Sequence, residues 1–275
     1  MTELGHFSAI NAVVAIRADE PLATVITTAL SDLHTDAQST HRLDVALGDT
    51  GEWSLALEPP AKTAIGRYRG ALSDVALADV IAVFNELAAE SCAESSIVLH
   101  AGCVQIDGVA VALAGHSGAG KSTLTAAFAR HGYPVISEEV TATTTDFNAI
   151  PFRRPIGLRA AGASAVGVVV PKGPYDTVYP CPISTLGPKG DPAPLKAVFV
   201  LDRDKARDRT TGRRRLLLPA DALTALSGES LDSGVDRRAR FRALERLSRM
   251  VPVYRLTYFD TSAAIQAIVD WRDVA

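Results

Sequence analysis

Val109-Ala110-Val111-Ala112-Leu113-Ala114-Gly115-His116-Ser117-Gly118-Ala119-Gly120-Lys121-Ser122-Thr123-Leu124 decides how this chain is read. Six apolar residues of strand character run into a loop with glycines at 115, 118 and 120. From Thr123 to His131 the apolar Leu124, Ala127 and Phe128 recur at helical spacing, and Gly132 ends the run. A strand, a loop of the form G-x-x-x-x-G-K-[ST] and a helix make a P-loop, or Walker A, unit. The glycines let backbone N–H groups turn inward around phosphate oxygens, in conformations where a side chain would obstruct. Lys121 brings positive charge to the β- and γ-phosphates, and the helix start points its positive dipole end at them. Ser122 offers a hydroxyl to Mg²⁺, with Thr123 as a secondary candidate. The candidate nucleotide-binding residues are therefore Gly115, His116, Ser117, Gly118, Ala119, Gly120, Lys121, Ser122 and Thr123. The loop by itself leaves the reaction open, because P-loops serve kinases, ATPases and switches alike.

Upstream, Ile97 to Ile106 and Val109 to Ala114 flank Asp107-Gly108, two residues that tolerate positive φ, which predicts a hairpin leading into the loop. Downstream, Tyr133-Pro134-Val135-Ile136 predicts the next strand, and Ser137-Glu138-Glu139 follows it. A parallel strand neighbouring the P-loop strand would deliver both carboxylates beside Lys121 and Ser122. Adjacent strand residues point to opposite faces, so the pair is expected at a strand end. Phosphoryl transfer needs a metal-organising acid and often a base for the attacking hydroxyl, and Glu138 and Glu139 are the leading candidates for both. Asp202, after the buried run Ala197 to Leu201, is a second candidate in the manner of a Walker B acid.

The remaining chain divides in two. Residues 1–70 show short β-rich pieces separated by turn residues, and Ser73 to about Ala93 has helical periodicity, giving a small strand-rich α+β domain with a linking helix over residues 1–95. Residues 96–275 form the P-loop domain, an α/β unit with a mixed sheet. Within it Pro171 to Pro194 holds seven prolines and reads as a surface excursion, residues 219–227 and 235–250 as helices, Val253 to Tyr258 as a strand, and Ser262 to Trp271 as a closing helix. Residues 1–96 carry 5 Lys/Arg against 14 Asp/Glu, a net −9, whereas the rest carries +6, the sign expected of a phosphate-handling part. Arginines and a lysine between Arg203 and Arg215 are interleaved with Asp204 and Asp208 and lack aromatics, so they read as a solvated loop, a phosphate lid or an acidic-peptide clamp, with only weak support for a nucleic-acid arm. Three cysteines without C-x-x-C spacing argue against a zinc site or disulfide framework, and no signal sequence or apolar run of membrane length is read; a cytoplasmic protein without membrane contact is expected.

Leu99-His100-Ala101, the hairpin, the P-loop through Leu124, Arg130-His131-Gly132-Tyr133 and Ile136-Ser137-Glu138-Glu139-Val140 follow one another in a succession that resembles the HPr kinase/phosphorylase family. Looser resemblance runs through Arg153-Arg154-Pro155-Ile156-Gly157-Leu158-Arg159 and Leu195 to Leu201, covering about residues 96–260. The resemblance implies a nucleotide-binding core similar to that of phosphoenolpyruvate carboxykinases, using ATP and Mg²⁺ to phosphorylate a serine hydroxyl of a peptide or protein. It implies that one of Glu138 and Glu139 is the base and the other, with Ser122, serves the metal, and that Lys121 and His100 assist; homo-oligomers are also implied. Two glutamates stand where the family carries two aspartates, and the second glycine-rich element linked to reverse phosphorolysis is not recognisable. Arg153, Arg154 and Arg159 are candidate cations for phosphate or substrate. A small-molecule hydroxyl kinase and a nucleotide-binding regulatory module without turnover are the competing readings; an open groove beside the acid pair favours the peptide, a closed pocket the small molecule.

Overall fold

The computed structural model describes residues 1–48, 52–59, 62–66, 72–92, 96–170, 178–203, 212–231 and 236–272. It is a mixed α/β structure with three sheets and seven α-helices among the described residues. The first part comprises β1 (Thr2–Ala9), β2 (Ala12–Ala18), α1 (Leu22–Ala29), β3 (His34–Thr35), β4 (His41–Leu47), β5 (Trp53–Glu58), β6 (Lys62–Gly66) and α2 (Leu72–Glu90). Its six strands lie in the order β3-β1-β2-β4-β5-β6, with β2 and β4 parallel. Along β2 the burial alternates, Ala12, Val14, Ile16 and Ala18 facing inward, as the two-residue period of a one-sided sheet requires. Helix α1 was not expected from the sequence: Thr24, Val25, Ile26, Thr27 and Thr28 are poor helix formers, and burial of Leu22, Ala23, Ile26 and Ala29 overrides their propensity.

The second part contains β7 (Val98–Ile106), β8 (Val109–Ala114), α3 (Lys121–Arg130), β9 (Val135–Ser137), β10 (Val140–Thr143), β11 (Asn148–Ile150), β12 (Ile156–Leu158), α4 (Ala160–Ala165), β13 (Tyr179–Cys181), β14 (Ala193–Arg203), β15 (Arg213–Leu216), α5 (Pro219–Glu229), α6 (Arg237–Met250), β16 (Val253–Tyr258) and α7 (Thr261–Val269). The main sheet runs β11-β10-β7-β8-β14-β16-β15, with β9 also on β7, and β12 pairs only with β13. The expected hairpin is present: Ile106 pairs with Val109, and Asp107 and Gly108 take φ of 48° and 77°. Strand β8 is buried on both faces. Val111 and Leu113 pack with Leu124 and Phe128 of α3 and Ile265 of α7, while Ala110, Ala112 and Ala114 face Leu226 of α5 and Leu244 of α6. Alanines on that side let the two helices approach closely, and the whole apolar run is explained by the double burial.

Two expectations change here. The parallel neighbour of β8 is β14, whereas β9 runs antiparallel to β7, so β7 separates the acid pair's strand from β8, which leads into the glycine-rich loop. Separately, the proline-rich stretch is not a surface excursion throughout. Cys181 and Ile183 are buried, and a methyl on Gly187 would lie 2.1 Å from the Ala129 carbonyl, so this segment packs on the end of α3. Its prolines fit because a two-stranded ribbon leaves most backbone N–H groups outside a ladder; residues 171–177 lie outside the described set. The two parts share one core: Phe84 and Leu77 of α2 belong to the same apolar cluster as Val98, Val140, Ala142 and Phe152.

Candidate active site

The glycine-rich loop leaves β8 at Gly115 and enters α3 at Gly120. Gly115, Gly118 and Gly120 have φ of 145°, 83° and 97°, each in the region where an L side chain is strained. At Gly120 a methyl would also lie 2.3 Å from the Tyr258 hydroxyl. That hydroxyl, on the last residue of β16, donates to the Ala119 carbonyl at 2.6 Å, and burial pushes its pKa up to about 12, so it stays a donor. The N–H groups that open α3 have no intrahelical acceptor and Gly120 offers no side-chain cap, which is the arrangement an anion can satisfy. His116, Ser117 and Gly118 are exposed, Ala119 is buried, and Ser122 and Thr123 are half-buried. The buried Lys121 ammonium donates to the Gly115 carbonyl at 2.6 Å, folded back along the loop it would serve.

The acid pair lies between the end of β9 and the start of β10. Ser137 lies opposite Cys103 and Val140 opposite His100, so β9 and β10 keep one register along β7, and Glu138-Glu139 breaks that continuous course opposite Ala101-Gly102. The break is a three-residue turn: Val140 N–H donates to the Glu138 carbonyl at 2.7 Å around Glu139, whose φ is 64°. A turn of this hand is the rarer, strained γ form. It cancels the alternation that would send the two carboxylates to opposite faces, and both come within range of the first turn of α3.

The two glutamates differ in surroundings. Glu138 is fully buried and neither carboxylate oxygen has a hydrogen-bond partner. It lies against the glycine face of β7, since a methyl on Gly102 would meet Thr125 Oγ1 at 2.2 Å and Glu138 Oε2 at 3.1 Å. Burial pushes its pKa up; Arg154 opposes this, the neighbouring Glu139 charge adds to it, and the hydroxyls of Ser122 and Thr125 oppose it weakly. Thr125 is engaged elsewhere, donating to the Lys121 carbonyl at 3.0 Å, which leaves the Ser122 hydroxyl as the donor available to Glu138. Glu139 is about one-third exposed. Burial would raise its pKa, but the hydrogen bond to His100 and the charges of Arg154, His100 and Lys121 outweigh that and bring it to about 2. His100 Nε2 meets Glu139 Oε1 at 2.7 Å, and Arg154 Nη2 stands 3.9 Å from Glu139 Oε2.

Of the remaining candidates, Arg153 turns away, donating to the Gly190 carbonyl at 2.7 Å. Arg159 is exposed at the start of α4. Asp202 is exposed near the end of β14. Arg203 puts its Cδ 3.8 Å from where a methyl on Gly120 would sit, so the head of the arginine-rich stretch borders the glycine-rich loop, while residues 204–211 lie outside the described set. Three residues at the site were not anticipated. Tyr258 supports the loop, Glu229 Oε2 lies 3.9 Å from His100 Nδ1, and Asn85 of α2 accepts from Arg154 at 3.5 Å. Each is brought in by topology from a distant part of the sequence, and no local pattern marks them.

Among the described residues no three His, Cys, Asp or Glu side chains form a metal cage. Mg²⁺ does not require one, because it is commonly held by one or two carboxylates, a hydroxyl and substrate phosphates. An unpartnered, fully buried carboxylate beside the Ser122 hydroxyl fits that donor set. No family model matches this chain, and no curated protein does. Among solved structures, the Hpr(Ser) kinase/phosphatase from Coxiella burnetii aligns with 64% of this chain and 95% of its own length, at 10% identity and a TM-score of 0.32. No described helix is long and apolar enough to cross a membrane.

Proposed function

We propose that this chain is an ATP- and Mg²⁺-dependent kinase that moves the γ-phosphoryl group to a hydroxyl, a serine of a cytoplasmic peptide or protein, on a core related to that of HPr kinase. The observation that carries this reading is Glu138, buried with both oxygens unpartnered beside Ser122 at the head of the P-loop helix. Burial pushes its pKa up and disfavours the ionised form, and a cation held beside Ser122 would supply the partner that a buried carboxylate needs. Ser122 and Glu138 would hold Mg²⁺, which when bound neutralises charge on the β- and γ-phosphates.

The loop N–H groups and Lys121 then bind and orient the triphosphate, Lys121 exchanging the Gly115 carbonyl for phosphate oxygen. Glu139 accepts a hydrogen bond from the serine hydroxyl and aims its oxygen at the γ-phosphorus. The serine O–P bond forms as the bond from the γ-phosphorus to the β,γ-bridging oxygen breaks, ADP leaves, and the hydroxyl proton passes to Glu139. With its pKa near 2, Glu139 is a weak base, which suits a loose phosphoryl transition state in which the proton departs late. His100 and Arg154 hold Glu139 ionised and in place. Incubation with Mg·ATP and a pool of serine-containing peptides, read by mass spectrometry, should give peptides carrying one added phosphate. Lys121→Ala should give none; transfer by Lys121→Ala at the wild-type rate, or no transfer by either protein, would remove the proposal.

A further inference from the structure

Beside the acid pair, α2 and the β12–β13 ribbon enclose a groove of about 270 Å³. Leu77, Ile81, Val178 and Pro180 make it apolar, and Asn85 and Arg154 supply its polar wall. Ala78 and Ala82, one helical turn apart, form an exposed rim, so the groove is open along α2 and does not enclose its contents. An open trough suits one side chain of a longer molecule.

Arg154 defines the chemistry of the occupant. The residue is only 8% exposed, its Nε–H has no acceptor, and its Nη1 donates to Asn85 Oδ1 at 3.5 Å. A buried guanidinium donor left unpaired is expected to find an acceptor. That acceptor need not be charged. Glu139 Oε2 already stands 3.9 Å from Nη2 and Glu138 lies nearby, so a further anion would meet two carboxylates. A neutral carbonyl beside an apolar group matches both the Asn85–Arg154 wall and the apolar walls. Because Arg154 touches Glu139 on one side and the groove on the other, the occupant belongs within a residue or two of the reacting hydroxyl, each residue spanning at most about 3.5 Å.

We propose that this groove binds an aliphatic or aromatic side chain flanking the acceptor serine, with a backbone carbonyl of the acceptor peptide against the polar wall that Asn85 and Arg154 make. Its role as an acceptor site rests on the kinase reading, but occupancy does not require phosphate transfer, and the two can be tested apart. Titrating the ¹⁵N-labelled full chain with N-acetyl-leucinamide should give saturable NMR shifts at the Asn85 side-chain amide and at the backbone amides of Ala78 and Ala82. Ala82→Trp fills the groove from an exposed position and should weaken that binding at least about tenfold, a single-pocket effect of ordinary size, while leaving Mg·ATP affinity unchanged as evidence of folding. Absence of saturable shifts in the wild type, or equal shifts in Ala82→Trp, overturns the groove. In a serine-peptide library the wild type should prefer Leu, Ile or Phe at one position within two residues of the serine, and Ala82→Trp should lose that preference. Phosphorylation without such a position overturns the groove and leaves the kinase reading standing. Saturable binding with no peptide phosphorylated overturns the acceptor role through the kinase reading and not through the groove.

Discussion

Glu139 holds a left-handed backbone conformation at φ 64°, and the strain it carries is what brings two neighbouring carboxylates to one place. A side chain in this region costs about 1–2 kcal/mol, part of which glycine would return through its greater freedom when unfolded. Glu139→Gly should therefore be more stable than Glu139→Ala by about 0.5–1 kcal/mol in urea denaturation, with both inactive. Equal stability would mean that the turn relaxes without cost. At the P-loop, Tyr258→Phe removes the donor to the Ala119 carbonyl. It should lose about 1 kcal/mol of stability and weaken Mg·ATP binding several-fold, measured by calorimetry, because the loop loses its brace from β16. The residues of the P-loop and the glutamate pair were legible in the sequence, since local spacing marks them. The device that aligns the glutamates was not, because no sequence pattern announces a positive φ at a glutamate.

Among the elements, the β7–β8 hairpin and the passage from β8 into α3 follow directly from the Asp107-Gly108 turn and the glycines that follow. The position of β9 does not. A strand after a P-loop helix is most simply placed parallel and adjacent to β8, yet β7 occupies that place because the hairpin has already closed on it. The acid pair reaches α3 nonetheless, across the narrow face that Gly102 leaves on β7. Gly102→Ala would press on Thr125 and Glu138, whereas Gly187→Ala would meet the backbone carbonyl of Ala129, which has no freedom to move aside. Both should destabilise, by about 1–3 kcal/mol as overpacked sites do, with Gly187→Ala the worse for stability and Gly102→Ala the worse for Mg²⁺-dependent nucleotide binding. Thermal unfolding and nucleotide titration of the two variants separate these effects. Helix α1 escaped the sequence because its threonines favour strand, and the buried half of the proline-rich stretch escaped because prolines read as surface.

The whole molecule joins an acidic N-terminal part to a basic C-terminal part, and α2 makes the junction, packing on the first sheet and on β10 while its Asn85 meets Arg154. The stability of the N-terminal sheet should depend on pH through Asp44. Hydrogen bonds from Arg17 and Arg42, helped by their charges, hold its carboxyl well below the usual carboxylate range. Its contribution is therefore complete above the ordinary carboxylate pKa of about 4 and is lost as pH falls below it. Asp44→Asn should lower Tm at pH 7 by only about 2 °C, since both arginines are well exposed, and the gap should close as the pH drops below about 4. The central claim, that this architecture transfers phosphate and does not merely bind nucleotide, is tested most directly by Glu139→Gln. The rate of γ-phosphoryl transfer to a serine peptide is measured alongside Mg·ATP affinity. Affinity should stay within about threefold of wild type while transfer becomes at least about 100-fold slower, the loss expected when a group acting only in the transition state is removed. Transfer by Glu139→Gln at the wild-type rate, or a wild-type protein that binds Mg·ATP tightly and passes its phosphate to no hydroxyl, would contradict it.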